Sequence, residues 1–88
     1  MNIEELIYEV YRENDDLQTE EEVQSEVTFT LMDISCGNYT SIFSEIANAL
    51  VETKDDVWMD RLEKLVKFQR YGVKEINDEN WKESCKWN

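Results

Sequence analysis

The 88-residue sequence contains no histidine, no proline, only two glycines and only two cysteines. Without histidine, a serine or cysteine nucleophile lacks its usual base. Two isolated glycines cannot form the glycine-rich loop that cradles a phosphate, and Cys36 and Cys85 lie too far apart to form a CxxC zinc motif. We therefore predict a protein that is not an enzyme and that has no catalytic residue, no bound metal and no cofactor.

Long apolar runs are also missing, so the sequence offers no segment that suits a signal peptide or a membrane span. Apolar residues make up 41% of the chain and aromatic residues 11%, which is enough for one small core. We expect a single acidic globular domain over residues 1–88 that is monomeric, located in the cytoplasm and without a membrane partner.

Basic residues are scarce, because nine lysines and arginines face 21 acidic residues and the formal net charge is −12. Residues 1–26 contain ten acidic side chains and one basic side chain, whereas residues 53–88 contain eight of each. A charge needed only for solubility has no reason to be segregated in this way, so the first half is predicted to be an interaction surface. Its negative field repels nucleic acid and anionic membranes as direct partners and favours a basic protein.

The opening segment predicts a helix. Asn2 is placed to cap it, and Glu5 three residues later completes a capping box. The apolar residues follow the helical spacing i, i+3, i+4 and i+7, at Ile3, Leu6, Ile7 and Val10.

The segment VQSEVTFTLMDI, residues 23–34, predicts a half-buried β-strand because apolar and polar residues alternate along it. Turn-forming residues follow at 36–38, and residues 39–42 are a candidate for a second, shorter strand. The apolar positions of the predicted strand are Val23, Val27, Phe29 and Leu31, and the polar ones are Gln24, Glu26, Thr28 and Thr30.

Three helices are predicted in the second half of the chain. The first runs from about Ser41 or Ser44 to Thr53, and the second begins near Asp55 and ends before Gly72, which suits the left-handed position after a helix. A short third helix is capped by Asn77, with Ile76 packed on Trp81 and Cys85 on the same face. The fold class is therefore predicted as α+β: a small single domain with an N-terminal helix, one strand or β-hairpin, and then three helices.

The candidate partner-binding surface comes from the stretch ENDDLQTEEEVQSE, residues 13–26, which contains seven carboxylates and no positive charge. Residues 15–22 are predicted to form an exposed acidic loop, with one short turn begun by Thr19 and Glu22 as an alternative. Reversal of charge at Glu20, Glu21 and Glu22 is expected to leave the fold intact. On the preceding helix, carboxylates recur every four residues, about 6 Å apart along the solvent side. The predicted partner-binding residues are Glu5, Glu9, Glu13, Asp15, Asp16, Glu20, Glu21, Glu22 and Glu26.

Two interpretations of these carboxylates remain open. They are a solvated surface, or they stand in for a line of phosphates, which are spaced about 3.4 Å apart along one strand of a DNA duplex. In the second case, arginine and lysine side chains of a nucleic-acid-binding groove would donate charge-assisted hydrogen bonds to the Glu and Asp oxygens.

The opening MNIEELIYEV resembles the start of the small acidic phage-encoded type II-A anti-CRISPR proteins. The resemblance in layout continues through a strand or hairpin into C-terminal helices. It implies that acidic residues occupy the basic site where a guide-RNA nuclease of a CRISPR-Cas system reads its target DNA, and so block DNA binding. The shared residues are Met1, Asn2, Ile3, Leu6, Ile7 and Glu9.

Two further functions fit the same sequence. An immunity protein or antitoxin that neutralises a nuclease toxin is also small, acidic and cytoplasmic. A structural or assembly factor would use its acidic residues only for solubility and would bind through exposed aromatic residues, chiefly Tyr8 and Trp87.

Overall fold

A computed structural model describes residues 1–14 and 17–76 of the chain, and within them the fold is entirely helical. The predicted α+β class is wrong, because these residues contain no strand or hairpin. The four helices are α1 (Ile3–Arg12), α2 (Glu20–Ser35), α3 (Thr40–Thr53) and α4 (Asp56–Tyr71).

Helix α2 replaces the predicted strand. Val23, Val27 and Thr30 are buried on one helical face, whereas Phe29, predicted to be buried with the two valines, is exposed. Val23 and Val27 fit both interpretations, since a separation of four residues returns to the same side of a strand and to nearly the same side of a helix. The strand and the helix differ at Thr30, which the strand would place on its polar side. In the helix Thr30 is buried, and its hydroxyl has a hydrogen-bond partner inside the core.

The start of α2 also corrects the predicted acidic loop. The Thr19 hydroxyl accepts a hydrogen bond from the backbone N–H of Glu22 at 3.1 Å, so Thr19 caps the helix. Glu20, Glu21 and Glu22 form its first turn, where the positive end of the helix dipole stabilises carboxylates. The run of three glutamates is therefore helical.

The predictions for α3 and α4 are confirmed, but the short strand at residues 39–42 does not form. Tyr39 precedes α3 and Thr40 begins it. Asp55 caps α4 by accepting a hydrogen bond from the N–H of Val57 at 3.0 Å, and Gly72 ends α4 with a φ of 66°. The predicted short helix with Asn77, Trp81 and Cys85 lies outside the described residues.

The core is built by all four helices and the segment after α4. Helix α1 packs chiefly against α2, and α3 packs against α4, with further contacts from α1 to α3 and α4. The predicted capping box of Asn2 and Glu5 is present at the start of α1. The fully buried apolar side chains are Leu6, Ile7, Val10, Ile42, Ile46, Leu65 and Ile76.

The segment after α4 returns to the N-terminus. The backbone N–H of Ile76 donates to the carbonyl of Met1 at 2.8 Å. The amino group of Met1 in turn donates to the carboxylate of Glu75 at 2.5 Å and to the carbonyl of Ile76 at 2.6 Å. These bonds tie the start of α1 to the segment that follows α4.

Candidate functional site

The first candidate site is a groove between α1 and α2, here called the α1–α2 groove. It encloses about 430 Å³ and is open to solvent. Most of its wall comes from one side of α1, with a smaller part from α2. The lining residues are Asn2, Glu4, Glu5, Tyr8, Glu9, Arg12, Gln24 and Val27.

A hydrogen bond crosses from one helix to the other beside this groove. The Tyr8 hydroxyl donates to the carboxylate of Glu20, and the Gln24 amide lies 3.5 Å from the same oxygen. The hydrogen bond to Glu20 raises the pKa of Tyr8 above its ordinary value of 10.0, and desolvation raises it further, while Arg12 lowers it. Glu20 is therefore held by its neighbours within the chain.

The predicted partner-binding residues divide into several groups in the structure. Glu5 and Glu9 line the α1–α2 groove, and Glu21, Glu22 and Glu26 are exposed on α2. Asp15 and Asp16 lie outside the described residues, while Glu13 and Glu20 are bound to other parts of the chain. The structure thus divides these acids between the α1–α2 groove and the exposed surface of α2, and it does not leave all of them open to a partner.

Glu13 is directed away from the α1–α2 groove towards α4. Its carboxylate accepts a hydrogen bond from the guanidinium of Arg61, whose central carbon lies 4.6 Å above the ring centroid of Trp58. The guanidinium therefore has a carboxylate and an aromatic face as partners in a largely buried position. The charge of Glu13 is compensated within the chain.

A second cavity, of about 450 Å³, lies on this other side between α1, α3 and the start of α4. Glu13, Glu45 and Glu52 contribute carboxylates to it, and the Asn14 amide donates to Glu45 at 3.1 Å. Among the described residues, no group of three or more histidine, cysteine, aspartate or glutamate side chains is arranged to hold a metal ion.

The basic residues of α4 were not predicted to be buried, yet three of them are. Arg61 and Lys64 are less than a tenth exposed, and Lys67 is 1% exposed. Lys64 forms an ion pair with Asp60, one turn earlier on α4, with 3.1 Å between Nζ and Oδ2. Because basic groups of the charge-balanced half are turned inward, the protein surface is more acidic than the sequence count indicates.

Of the predicted partner-binding glutamates, two have neither a position in the first turn of a helix nor an ion-pair partner in the described structure. Glu9 is half-buried in the α1–α2 groove, and Glu26 is exposed in the middle of α2. In contrast, Glu4 and Glu5 belong to the first turn of α1, where they compensate the helix dipole. The helical period distinguishes Glu26 from the first-turn glutamates of α2, but only if residues 20–35 are predicted to form a helix.

No protein family model, curated protein or solved structure matches the chain. No helix of the described residues is long and apolar enough to cross a membrane. The chemistry available at the surface of α1 and α2 is that of carboxylate oxygens accepting hydrogen bonds from cationic groups.

Proposed function

We propose that the chain is a non-enzymatic inhibitor that binds the basic nucleic-acid-binding surface of a partner nuclease and excludes the nucleic acid by mimicking its phosphates. The observation that carries this proposal is the separation of charge between outside and inside. Carboxylates of α1 and α2 face solvent, whereas Arg61, Lys64 and Lys67 of α4 are buried. A surface of this kind attracts basic grooves and repels nucleic acid.

The helical setting supports the mimicry. Carboxylates on a helix are held at repeated intervals of about 6 Å for every four residues, which is a regular array of negative charge. Helix α2 contains five acidic residues and no basic residue. Arginine and lysine donate strong charge-assisted hydrogen bonds to such carboxylates, as they do to phosphates.

The proposed class of partner is a basic nuclease. The opening MNIEELIYEV resembles the type II-A anti-CRISPR proteins, which favours a CRISPR-Cas effector as the partner and the host cytoplasm as the place of action. The strand that belonged to this resemblance is replaced by α2 in the described residues. This difference keeps the alternative, an immunity protein or antitoxin against a nuclease toxin, as a second candidate.

The third candidate is an assembly factor that binds through two exposed aromatic residues, and one of these two residues is not fully exposed. Tyr8 is half-buried and its hydroxyl is bound to Glu20, so it is not a free aromatic surface. Trp87 lies outside the described residues.

The proposal is tested by competition for DNA. A type II-A CRISPR effector loaded with guide RNA, and separately a basic nuclease toxin domain, are each mixed with fluorescent DNA, and anisotropy is measured as this protein is added. We expect displacement of DNA from one of the two enzymes, weaker at 500 mM than at 100 mM NaCl because salt screens the exposed charges. If neither enzyme releases DNA at 100 mM NaCl, the proposal is wrong for both partner classes.

A matched pair of variants separates local contacts from net charge. The double substitution Glu21→Lys with Glu26→Lys reverses one first-turn acid and one further exposed acid of the proposed surface. The control Asp56→Lys with Glu52→Lys does the same near the α3–α4 connection. Since each charge-assisted bond contributes roughly 1.5 to 3 kcal/mol, we expect the first variant to lose more than about a hundredfold in affinity and the control to lose little. Equal losses would indicate that only net charge matters.

A further inference from the structure

The outer face of α2 combines exposed apolar and acidic side chains. Phe29 is 61% exposed and Met32 is 59% exposed, and their i, i+3 spacing places them side by side on the helix. Glu26 lies about one turn before Phe29 and Glu22 about two turns before it, and both are exposed. We call Glu22, Glu26, Phe29 and Met32 the outer face of α2.

Among the described helices, α2 packs chiefly against α1, which leaves the other side of α2 exposed. Its contacts are chiefly with α1, through the side of the helix that contains Val23, Val27 and Thr30. Phe29 and Met32 lie on the side of the helix away from these buried residues, and Glu22 and Glu26 lie along the edge of that side, because Glu26 is four residues from the buried Thr30. An aromatic residue and a methionine that are both more than half exposed are residue types enriched in protein interfaces.

We propose that the outer face of α2 is a docking surface for a basic protein that offers an apolar depression bordered by arginine or lysine. This inference rests on the proposed function for the class of partner and adds that binding there is not purely electrostatic. Phe29 and Met32 supply an anchor that enters the depression, and Glu22 and Glu26 pair with its basic border.

Charge complementarity favours a basic protein on this face over a second copy of the chain, a membrane or nucleic acid. Helix α2 contains five acidic residues and no basic residue, so a second copy of α2 facing the first would bring like charges together. Anionic membranes and nucleic acid are repelled for the same reason. A basic protein surface satisfies the carboxylates, and an apolar depression within it removes Phe29 and Met32 from water.

Two synthetic peptides of equal positive charge provide the probes. In one, arginines alternate with leucine and tryptophan, and in the other with serine and glycine. Binding is followed with a fluorophore on Cys36, which is exposed one turn beyond Met32, in a Cys85→Ser background that leaves a single thiol. We expect the apolar peptide to bind at least about tenfold more tightly than the polar one, with the difference retained at 500 mM NaCl.

Variants assign this difference to the outer face. The double substitution Phe29→Ser with Met32→Ser should abolish the preference and leave binding of the polar peptide unchanged. The control Val51→Ser with Met59→Ser removes two other exposed apolar side chains, on α3 and α4, and should keep the preference. Equal binding of the two peptides, no binding of either, or an equal effect of the control would overturn the inference.

Two measurements on the isolated protein address other occupants. A dimer in sedimentation equilibrium that dissociates in the Phe29→Ser, Met32→Ser variant would show that a second copy covers the face. A large loss of thermal stability in the monomeric variant would show that the face is covered within the chain. Both results overturn the inference, whereas a monomer of unchanged stability supports it.

The outcome is distinguishable from that of the DNA competition. If DNA is displaced from a nuclease equally well by the Phe29→Ser, Met32→Ser variant and by the unmodified protein, the proposed function stands and this inference fails. If the peptide preference depends on Phe29 and Met32 but no nuclease releases DNA, the docking surface stands and the proposed function fails.

Discussion

Tyr11 and Thr30 join α1 to α2 inside the core. Both side chains are 3% exposed, and the Thr30 hydroxyl donates to the Tyr11 oxygen at 3.0 Å. Burial raises the pKa of Tyr11 above its ordinary value of 10.0, and nearby carboxylates raise it further, whereas the hydrogen bond from Thr30 lowers it. The sequence places Thr30 on the polar side of a strand, and only its partner explains why a hydroxyl is buried here.

The raised pKa predicts a loss of stability at high pH. Because the folded state holds the Tyr11 proton more tightly than the unfolded state, this contribution is fully present below pH 10 and is lost as pH rises through the folded pKa. Urea unfolding at pH 9 and pH 11 should show a decrease that is smaller in Tyr11→Phe. The control Thr30→Val keeps the phenol and removes the bond that lowers its pKa, so its decrease should be at least as large as that of the unmodified protein.

The Glu13–Arg61 pair predicts that single substitutions at either residue lower the free energy of unfolding. Arg61 is largely buried and stacks on Trp58, so Glu13→Gln leaves a buried cation without its carboxylate. We expect Glu13→Gln to cost about 1 to 2 kcal/mol in free energy of unfolding, and Arg61→Ala to cost more because packing on Trp58 is lost as well. Thermal and urea unfolding provide the measurement.

Glu26→Gln is the control for this substitution, because Glu26 is exposed in the middle of α2 and has no ion-pair partner among the described residues. Exposed substitutions of this kind usually change the free energy of unfolding by less than about 0.5 kcal/mol. A cost of Glu13→Gln no larger than that of Glu26→Gln would show that Arg61 does not depend on Glu13.

At the scale of helices, the sequence predicts α1, α3 and α4 correctly and misidentifies α2. In α1 and α4 the apolar residues lie on one face and capping residues mark the ends. In α2, Phe29 and Met32 are apolar but lie opposite the buried face, which obscures the helical period. The residues that hide the helix are thus the ones proposed to dock a partner.

The position of Glu20, Glu21 and Glu22 in the first turn of α2 changes what charge reversal should do. In a loop, reversal would leave the fold intact, but at the start of a helix each lysine meets the positive end of the dipole. We expect the triple substitution to lysine to cost about 1 to 3 kcal/mol in free energy of unfolding, with part of the loss coming from the Tyr8–Glu20 bond.

Circular dichroism during urea unfolding measures this cost. The single substitution Glu26→Lys is the control, because Glu26 is exposed in the middle of α2 and should change stability by less than about 0.5 kcal/mol. If the triple variant is as stable as the unmodified protein, the three glutamates have no structural role and are free for binding alone.

At the scale of the whole molecule, composition predicts the acidic character but not its full extent. The sequence shows an acidic first half and a balanced second half, while the structure turns Arg61, Lys64 and Lys67 inward. Burial of basic side chains is not predictable from a local pattern, because these residues usually remain exposed. The described surface as a whole therefore shows fewer basic side chains than the sequence count indicates.

This arrangement predicts that salt stabilises the isolated protein. With a net charge of −12, repulsion among exposed carboxylates opposes folding, and raising NaCl from 10 to about 200 mM screens charges farther apart than roughly 10 Å. The Glu13–Arg61 pair is partly buried and in direct contact, so it is screened less, and its attraction is retained while the repulsion falls. A gain of about 1 kcal/mol would raise the melting temperature by about 4 to 8 °C in a domain of this size.

Neutralising the exposed surface with Glu21→Gln and Glu26→Gln should reduce this salt dependence, while sucrose, which does not screen charge, should affect both proteins equally. A melting temperature that falls with NaCl would instead mean that attractive ion pairs outweigh the repulsion of the acidic surface.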